Sequence, residues 1–186
     1  MQYLFFDTET TSQYQSQARL VHLAFIRTDK EGKELERFSE LIRPEGFQID
    51  NSDIHGITQA VALKSGIGLK SAIKAFMSAS EQSSLLVAHN IDYDKKVLFN
   101  ELKASGLTKT YFNTLYNKAV LCTMQSATVF CNIIDKKRGR PKFPKLSELY
   151  EKLFEQIYVK DQKPLTDVET MMHCFFELKR KGVIMV

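Results

Sequence analysis

The stretch Phe5-Phe6-Asp7-Thr8-Glu9-Thr10-Thr11 places two carboxylates one residue apart on a short apolar segment. Residues i and i+2 of an extended strand point to the same side, so Asp7 and Glu9 project together, about 7 Å apart along the strand. Two like charges held side by side repel each other unless a cation lies between them. The pair therefore indicates either a site for Mg²⁺ or Mn²⁺, which prefer oxygen ligands, or an exposed pair of acids at a strand end.

The composition is that of an ordinary globular protein, with 186 residues, 44% hydrophobic and 26% charged. This length is typical of one domain, which we expect to span residues 1–186. No apolar run approaches membrane-spanning length, and we expect no secretory signal. The three cysteines form neither an even set nor a C-x-x-C pair, which favours buried thiols in a reducing cytoplasm. A net charge of +4 permits an anionic partner without requiring one.

The hydrophobic pattern predicts strands first, and strands alternating with helices afterwards. Short connections join the first three strand-like segments, which indicates antiparallel pairing. The predicted strands are Tyr3–Asp7, Arg19–Thr28, Leu35–Arg43, Ser84–Ala88 and Val120–Cys122. Helical spacing occurs in Leu69–Met77, in Asp92–Leu102 and in two stripes of the last third. An antiparallel meander followed by alternating strands and helices predicts an α/β fold with a mixed sheet flanked by helices.

Two further acids stand at the starts of predicted helices. Asp94 lies in the segment His89-Asn90-Ile91-Asp92-Tyr93-Asp94, which follows an apolar strand, and Asp92 is its nearby competitor. Asp167 lies in the first turns of the last predicted helix. Taken singly, each acid is explained by the favourable interaction of a carboxylate with a helix N-terminus.

Taken together, the acidic segments resemble the three exonuclease motifs of the DnaQ-like DEDD family, which includes the proofreading subunits of bacterial replicative polymerases. The matching motifs are Asp7-x-Glu9, Asn90-x-x-Tyr93-Asp94 and Asp167. Ile54-His55-Gly56-Ile57-Thr58 resembles the H-G-I-T segment of the family, and Leu41-Ile42-Arg43-Pro44 resembles the strand before it. Ser12 stands where a glycine is usual. The similarity runs from residue 3 to about residue 178.

The resemblance implies an RNase H-like fold and hydrolysis of a terminal phosphodiester with two Mg²⁺ or Mn²⁺ ions. Such ions, about 3.5–4 Å apart, clamp the attacking and leaving oxygens of an in-line displacement. By resemblance, Asp7 bridges both ions, Glu9 and Asp167 complete the site of the nucleophilic water, and Asp94 holds the other ion. The residues implied to line the pocket for the 3′-terminal nucleotide are Thr10, His55, His89, Asn90 and Tyr93.

The family pattern breaks at the position of the general base. One branch of the family has a histidine five residues before the last aspartate, where this chain has Gln162. The other branch has a tyrosine four residues before it, where this chain has Lys163. Glutamine has no titratable proton near neutral pH, although it can orient a water molecule by hydrogen bonding. We therefore expect an intact metal cage whose activity is attenuated at Gln162.

The leading hypothesis is a cytoplasmic, metal-dependent 3′→5′ exonuclease that acts on single-stranded nucleic acid, with DNA favoured over RNA. An alternative from another class is an attenuated or inactive exonuclease fold that binds nucleic-acid 3′ ends or a protein partner. A third hypothesis, RNA 3′-end trimming, shares every motif. A polymerase or repair partner is possible, no membrane association is expected, and the pattern leaves the oligomeric state open.

A basic loop, Lys136–Lys142, carries five basic residues in seven positions. Arg138-Gly139-Arg140-Pro141 resembles the R-G-R-P core of AT-hook minor-groove binders, whose arginines favour A·T-rich DNA. Two other interpretations remain open, namely a solvated loop and a general attraction for phosphates that weakens with salt. We assign the loop no base specificity.

Overall fold

The computed structural model describes residues 1–159 and 164–186 and contains a five-stranded sheet of order β3-β2-β1-β4-β5. The strands are β1 (Gln2–Thr10), β2 (Leu20–Asp29), β3 (Glu34–Leu41), β4 (Leu85–Ala88) and β5 (Val120–Cys122). The first three strands pair antiparallel, while β4 pairs parallel with β1 and β5 pairs parallel with β4. The predicted mixed sheet, a meander followed by parallel strands, is confirmed.

Nine helices are present in the described part of the chain. They are α1 (Ser52–His55), α2 (Gln59–Ser65), α3 (Leu69–Gln82), α4 (Ile91–Ala104), α5 (Thr108–Asn117), α6 (Thr123–Ser126), α7 (Thr128–Cys131), α8 (Leu146–Phe154) and α9 (Pro164–Arg180). Helical spacing predicted α3 and α4, and both helices are longer than the predicted segments Leu69–Met77 and Asp92–Leu102. It did not predict α5, in which Leu115 is the one buried residue.

The two faces of β1 are covered by different helices. Phe5 packs edge-on against Phe175 of α9, with ring centroids 5.0 Å apart. Phe6 packs on the opposite face against Phe76 of α3, also at 5.0 Å. Because side chains alternate along a strand, Asp7 and Glu9 continue the row of Phe5 that lies under α9. The packing of the apolar half of β1 thus directs its acidic half towards the last helix.

The described residues contain no helix long and apolar enough to cross a membrane. The three cysteines, Cys122, Cys131 and Cys174, are buried free thiols. The prediction of unpaired, buried thiols is therefore confirmed.

A buried carboxylate fastens α4 to the beginning of β2. Glu101 is 1% exposed and accepts hydrogen bonds from Arg19 Nε at 2.9 Å and from the backbone nitrogen of Leu20 at 2.8 Å. The Arg19 guanidinium also lies 4.5 Å from the ring centroid of Phe47. Since α4 carries Tyr93 and Asp94, this contact helps to hold those residues against the sheet.

Replacement of Glu101 with alanine is expected to lower the free energy of unfolding by about 2–3 kcal/mol, because hydrogen bonds to a charged group are lost and the Leu20 nitrogen is left buried. Urea denaturation followed by circular dichroism measures this change. The matched control is Glu81→Ala, which removes an exposed glutamate from α3 and should change stability by less than about 0.5 kcal/mol. Equal effects of the two substitutions would contradict the role given to Glu101.

Candidate active site

Three carboxylates converge where β1 meets α9. One oxygen each of Asp7, Glu9 and Asp167 lies within 4.8 Å of the others, and all three residues are partly exposed. Asp7 and Glu9 share a face of β1, and α9 is held on that face by the aromatic contacts of Phe175 and Phe176. The structure therefore brings together three of the four predicted metal ligands. A cluster of carboxylate oxygens is the donor set that suits Mg²⁺ or Mn²⁺.

The fourth predicted ligand, Asp94, occupies a buried position on α4 next to β1. It is 3% exposed and accepts a hydrogen bond of 2.6 Å from the Thr8 hydroxyl. Burial, and to a smaller extent the negative charge of Glu9, raise the pKa of Asp94 to about 7, while the Thr8 hydrogen bond opposes this rise. Its competitor Asp92 is exposed and accepts a hydrogen bond from Gln125. Of the two acids, Asp94 faces the strand that carries the carboxylate pair.

A left-handed residue determines how α4 leaves the sheet. Asn90, between β4 and α4, has φ of 83° and ψ of 48°. Asparagine is enriched among the few non-glycine residues that adopt this conformation. The sharp reversal starts the helix at Ile91, so that Tyr93 and Asp94 fall in its first turn, beside the end of β1.

A pocket of about 320 Å³ lies next to the carboxylates, with Glu9 in its wall. Four of the five predicted substrate-binding residues also line it, namely Thr10, His55, Asn90 and Tyr93. The hydroxyls of Thr10 and Tyr93 are hydrogen-bonded to each other, and Tyr93 donates to the carbonyl of Ser12. The volume is at the lower end of the range typical of small-ligand sites.

The pocket also contains residues to which the sequence analysis gave no role in substrate binding: Thr8, Ser12, Gln13, Asn51 and Ile54. Asn51 Nδ2 donates to the carbonyl of Thr10 at 2.8 Å, and Asn51 Oδ1 lies 3.2 Å from His55 Nε2. The backbone N–H of Ile57 donates to His55 Nδ1, so the proton of the neutral ring is on Nε2, which donates to Asn51. Burial lowers the pKa of His55, which favours this neutral form. In the sequence, only the position of Asn51, four residues before His55, could have indicated this hydrogen bond.

His89 does not line this pocket, and its two ring nitrogens are engaged within the protein. Nε2 lies 3.0 Å from the carbonyl oxygen of Pro144, and Nδ1 lies 3.0 Å from the Thr123 hydroxyl. A carbonyl can only accept, so Nε2 carries the proton. Burial lowers the pKa of His89, although the Pro144 carbonyl and the charge of Asp167 oppose this. The neutral ring thus connects the end of β4 with the chain before α8.

A tyrosine that the sequence analysis missed contacts the last acid. The Tyr158 hydroxyl donates a hydrogen bond of 2.7 Å to Asp167 Oδ1. Burial and the adjacent carboxylate raise the pKa of Tyr158 far above its usual range, so the phenol stays protonated and remains a donor. In the sequence, Tyr158 precedes Asp167 by nine positions, which matches neither the histidine spacing nor the tyrosine spacing of the two family branches. Gln162 and Lys163 lie outside the described residues.

Known proteins resemble this chain in sequence pattern and in fold. The RNase T exonuclease family model matches residues 4–156. A product-bound exonuclease I superposes with a TM-score of 0.79 at 18% identity, covering 98% of this chain and 44% of that one. Escherichia coli exonuclease I in complex with a dA16 oligonucleotide gives 0.79 and 18%, covering 96% and 41%. A moderately thermophilic exonuclease I from Methylocaldum szegediense gives 0.75 and 19%, covering 97% and 40%.

At these identities the structural matches establish the fold, which is the predicted RNase H-like exonuclease fold. This chain spans less than half the length of those exonuclease I chains. No curated protein sequence matches it. The family model covers most of the sequence, including the carboxylate pair of β1, the pocket and Asp94, and on that basis the chain belongs to the RNase T family of exonucleases.

Proposed function

We propose that this chain is a divalent-metal-dependent 3′→5′ exonuclease that hydrolyses terminal phosphodiesters of single-stranded nucleic acid, with DNA favoured over RNA. The observation that carries the proposal is the convergence of Asp7, Glu9 and Asp167 within 4.8 Å, beside a pocket with Glu9 in its wall. Four adjacent acids, with Asp94 the fourth, would be strongly repulsive towards a polyanion unless cations neutralised them.

The proposed ligands of two Mg²⁺ or Mn²⁺ ions are Asp7, Glu9, Asp94 and Asp167. When bound, such ions neutralise the phosphate and acidify a water molecule. The chain's own contribution is the placement of these ligands. The Thr8 hydroxyl orients Asp94, and the Tyr158 hydroxyl orients Asp167. Burial raises the pKa of Asp94, and a cation beside it would favour its ionised form.

The pocket is proposed to hold the 3′-terminal nucleotide. Tyr93 offers a half-buried ring against which a base or sugar can stack, and stacking tolerates every base. Thr10, Asn90 and His55 place polar groups around the same space. Ile54 is 71% exposed at its edge, which gives an apolar contact for a base. His89 is proposed to affect substrate binding indirectly, because its hydrogen bond to the Pro144 carbonyl positions the chain before α8.

The comparison structures support DNA as the substrate, because exonuclease I is recorded in complex with dA16 and with a dT13 oligonucleotide. The test uses a 5′-labelled and a 3′-labelled single-stranded DNA of equal sequence, with the equivalent RNA, in Mg²⁺ or Mn²⁺. We expect a ladder of shortened 5′-labelled products and release of a labelled mononucleotide from the 3′ end. No shortening of any oligonucleotide in either metal would refute the proposal.

A second candidate function follows from Gln162, which provides no general base. An attenuated or inactive fold would bind 3′ ends without turning them over. This candidate predicts binding of an oligonucleotide in Mn²⁺ with no product after prolonged incubation. Turnover at a rate of about 1 s⁻¹ or more, which is ordinary for enzymes, would exclude it.

Replacement of Tyr158 with phenylalanine is expected to raise the Mn²⁺ concentration for half-maximal binding by about 10-fold or more, because groups that orient metal ligands typically contribute 10–100-fold to affinity or activity. Isothermal titration with MnCl₂ measures this change without any substrate. Tyr150→Phe is the matched control, since Tyr150 of α8 packs against Phe154 and Tyr158 and its hydroxyl donates to Gln156 Oε1 at 3.5 Å. Unchanged Mn²⁺ affinity in Tyr158→Phe would show that the hydroxyl does not position Asp167.

A further inference from the structure

We propose that residues 134–141, here called the basic hairpin, dock the phosphodiester backbone of a single-stranded substrate on the 5′ side of the nucleotide in the pocket. This inference rests on the proposed function, which it deepens by assigning the surface that holds the rest of the strand. It is carried by three features of the hairpin: its fixed shape, its exposed charge and its attachment beside the site.

The backbone of the basic hairpin is closed by internal hydrogen bonds. Ile134 and Pro141 form an antiparallel bridge, and the nitrogen of Asp135 donates to the carbonyl of Arg140 at 2.9 Å. The Asp135 carboxylate accepts from the nitrogens of Lys137 and Arg138 at 2.8 and 3.2 Å. Gly139 has φ of 63°, a conformation that favours glycine. The backbone of the turn is therefore formed before any ligand binds, so only the side chains have to be ordered on binding.

The cations at the tip of the basic hairpin are exposed, and the described residues provide them with few acidic partners. Among the described residues, no acid forms an ion pair with Lys136, Lys137 or Arg140. Arg138 is 69% exposed and lies 4.0 Å from Asp135, a distance at which a solvated pair contributes little. Lys142 differs, because Glu148 holds its amine at 2.7 Å. Four cations thus project into solvent from one rigid turn.

The base of the hairpin is attached to the candidate active site. Pro144 is buried, and its carbonyl accepts the hydrogen bond from His89 Nε2. His89 immediately precedes Asn90, which lines the pocket. Phe143, between the hairpin and Pro144, is 57% exposed. An exposed aromatic ring beside cations is the combination that binds single strands, by stacking on bases and pairing with phosphates.

The shape of the hairpin favours a single strand over an A·T-rich duplex. The minor groove is about 6 Å wide, and two paired strands are already about 5 Å apart before their side chains are added. Arg138 and Arg140 flank the left-handed Gly139 in a closed turn, so they cannot enter the groove as one extended segment. The resemblance to an AT-hook core is therefore confined to sequence.

The test measures binding without catalysis. Affinity for a 5′-fluorescein dT20 oligonucleotide with hydrolysis-resistant phosphorothioate linkages is determined by anisotropy over a series of NaCl concentrations, at one fixed low Mg²⁺ concentration that neutralises the site carboxylates, using the full chain. Arg138→Gln/Arg140→Gln removes two hairpin cations, and Lys136→Gln/Lys137→Gln is a second, independent pair. The control is Lys30→Gln/Lys33→Gln, which removes the same charge from the exposed β2–β3 turn. That turn is at the opposite end of the sheet, where Asp29 pairs with Gln2.

Each hairpin variant is expected to reduce the slope of log K against log salt by about 1.4, given about 0.7 for each phosphate contact to a single strand. The control should keep the wild-type slope. Equal slopes for hairpin and control variants, or no binding by the wild type, would overturn the inference. Tighter wild-type binding to an A·T-rich duplex than to dT20 would overturn the assignment to single strands. Since no turnover is involved, a missing exonuclease activity would leave this result readable, and the proposed function alone would fail.

Discussion

Replacement of Asp7 with asparagine is expected to reduce 3′→5′ hydrolysis by about 10³-fold or more. Asp7 is one of the proposed metal ligands, and bound metal ions would stabilise transition-state charge by several kcal/mol, where each 1.36 kcal/mol corresponds to a factor of ten in rate. Asparagine preserves the shape of the side chain while removing its charge. The measurement is the single-turnover rate on 5′-labelled dT20 in saturating Mg²⁺ and again in Mn²⁺.

The matched control is Asp92→Asn, which removes a carboxylate that is exposed on α4. We expect this variant to keep wild-type activity within about threefold, and Asp94→Asn to fall with Asp7→Asn. Circular dichroism should show all three variants folded. Substantial residual activity in Asp7→Asn, or equal losses in Asp92→Asn and Asp94→Asn, would contradict the assignment of the metal ligands.

The second large effect concerns Gln162, for which the expectation comes from sequence because residues 160–163 are outside the described structure. Gln162→His is expected to raise the rate of hydrolysis by about 10²-fold or more, since general-base catalysis typically contributes 10²–10⁴-fold. Gln162→Asn retains an amide and supplies no base, so it should leave the rate near or below that of the wild type.

The pH profile distinguishes a new base from a better fold. A base acts in its neutral form, so the rate of Gln162→His should rise with pH through an apparent pKa near the ordinary histidine value of about 6.5. The wild type should show no such limb from this position. A rate gain that is independent of pH, or an equal gain in Gln162→Asn, would count against the idea that the wild type lacks a base.

Much of the fold could be predicted from the residue pattern of β1. Its apolar residues require helices on both faces, and the alternation that buries Phe5 also sets the direction of Asp7 and Glu9. Short connections fixed the antiparallel meander. The helix α5 was missed because it buries little of its surface: Phe112 and Tyr116 are both exposed. Local pattern does not identify a helix whose stability comes from its neighbours.

The candidate site could be predicted only in part. Periodicity placed Asp7 and Glu9 together, and the resemblance supplied Asp167 and the pocket residues. Tyr158 could not be found this way, because its hydrogen bond to Asp167 depends on the path of the chain between α8 and α9. The hydrogen bond between His89 and the Pro144 carbonyl could not be predicted either, because Pro144 is 55 positions away in the chain. Such contacts depend on the tertiary structure and produce no periodic pattern in the sequence.

The packing of α9 on β1 also affects when the protein can first act. Lys179 Nζ donates to the Tyr3 hydroxyl across 176 positions of sequence, and the carboxylate cluster is divided between the same two elements. Contacts between such distant segments form late and slow the folding of a chain. On the ribosome, the acids of β1 emerge early, yet they gain Asp167 only after α9 has left the exit tunnel. Under the proposed function, the metal site of a growing chain would therefore stay incomplete until α9 has emerged and packed on β1.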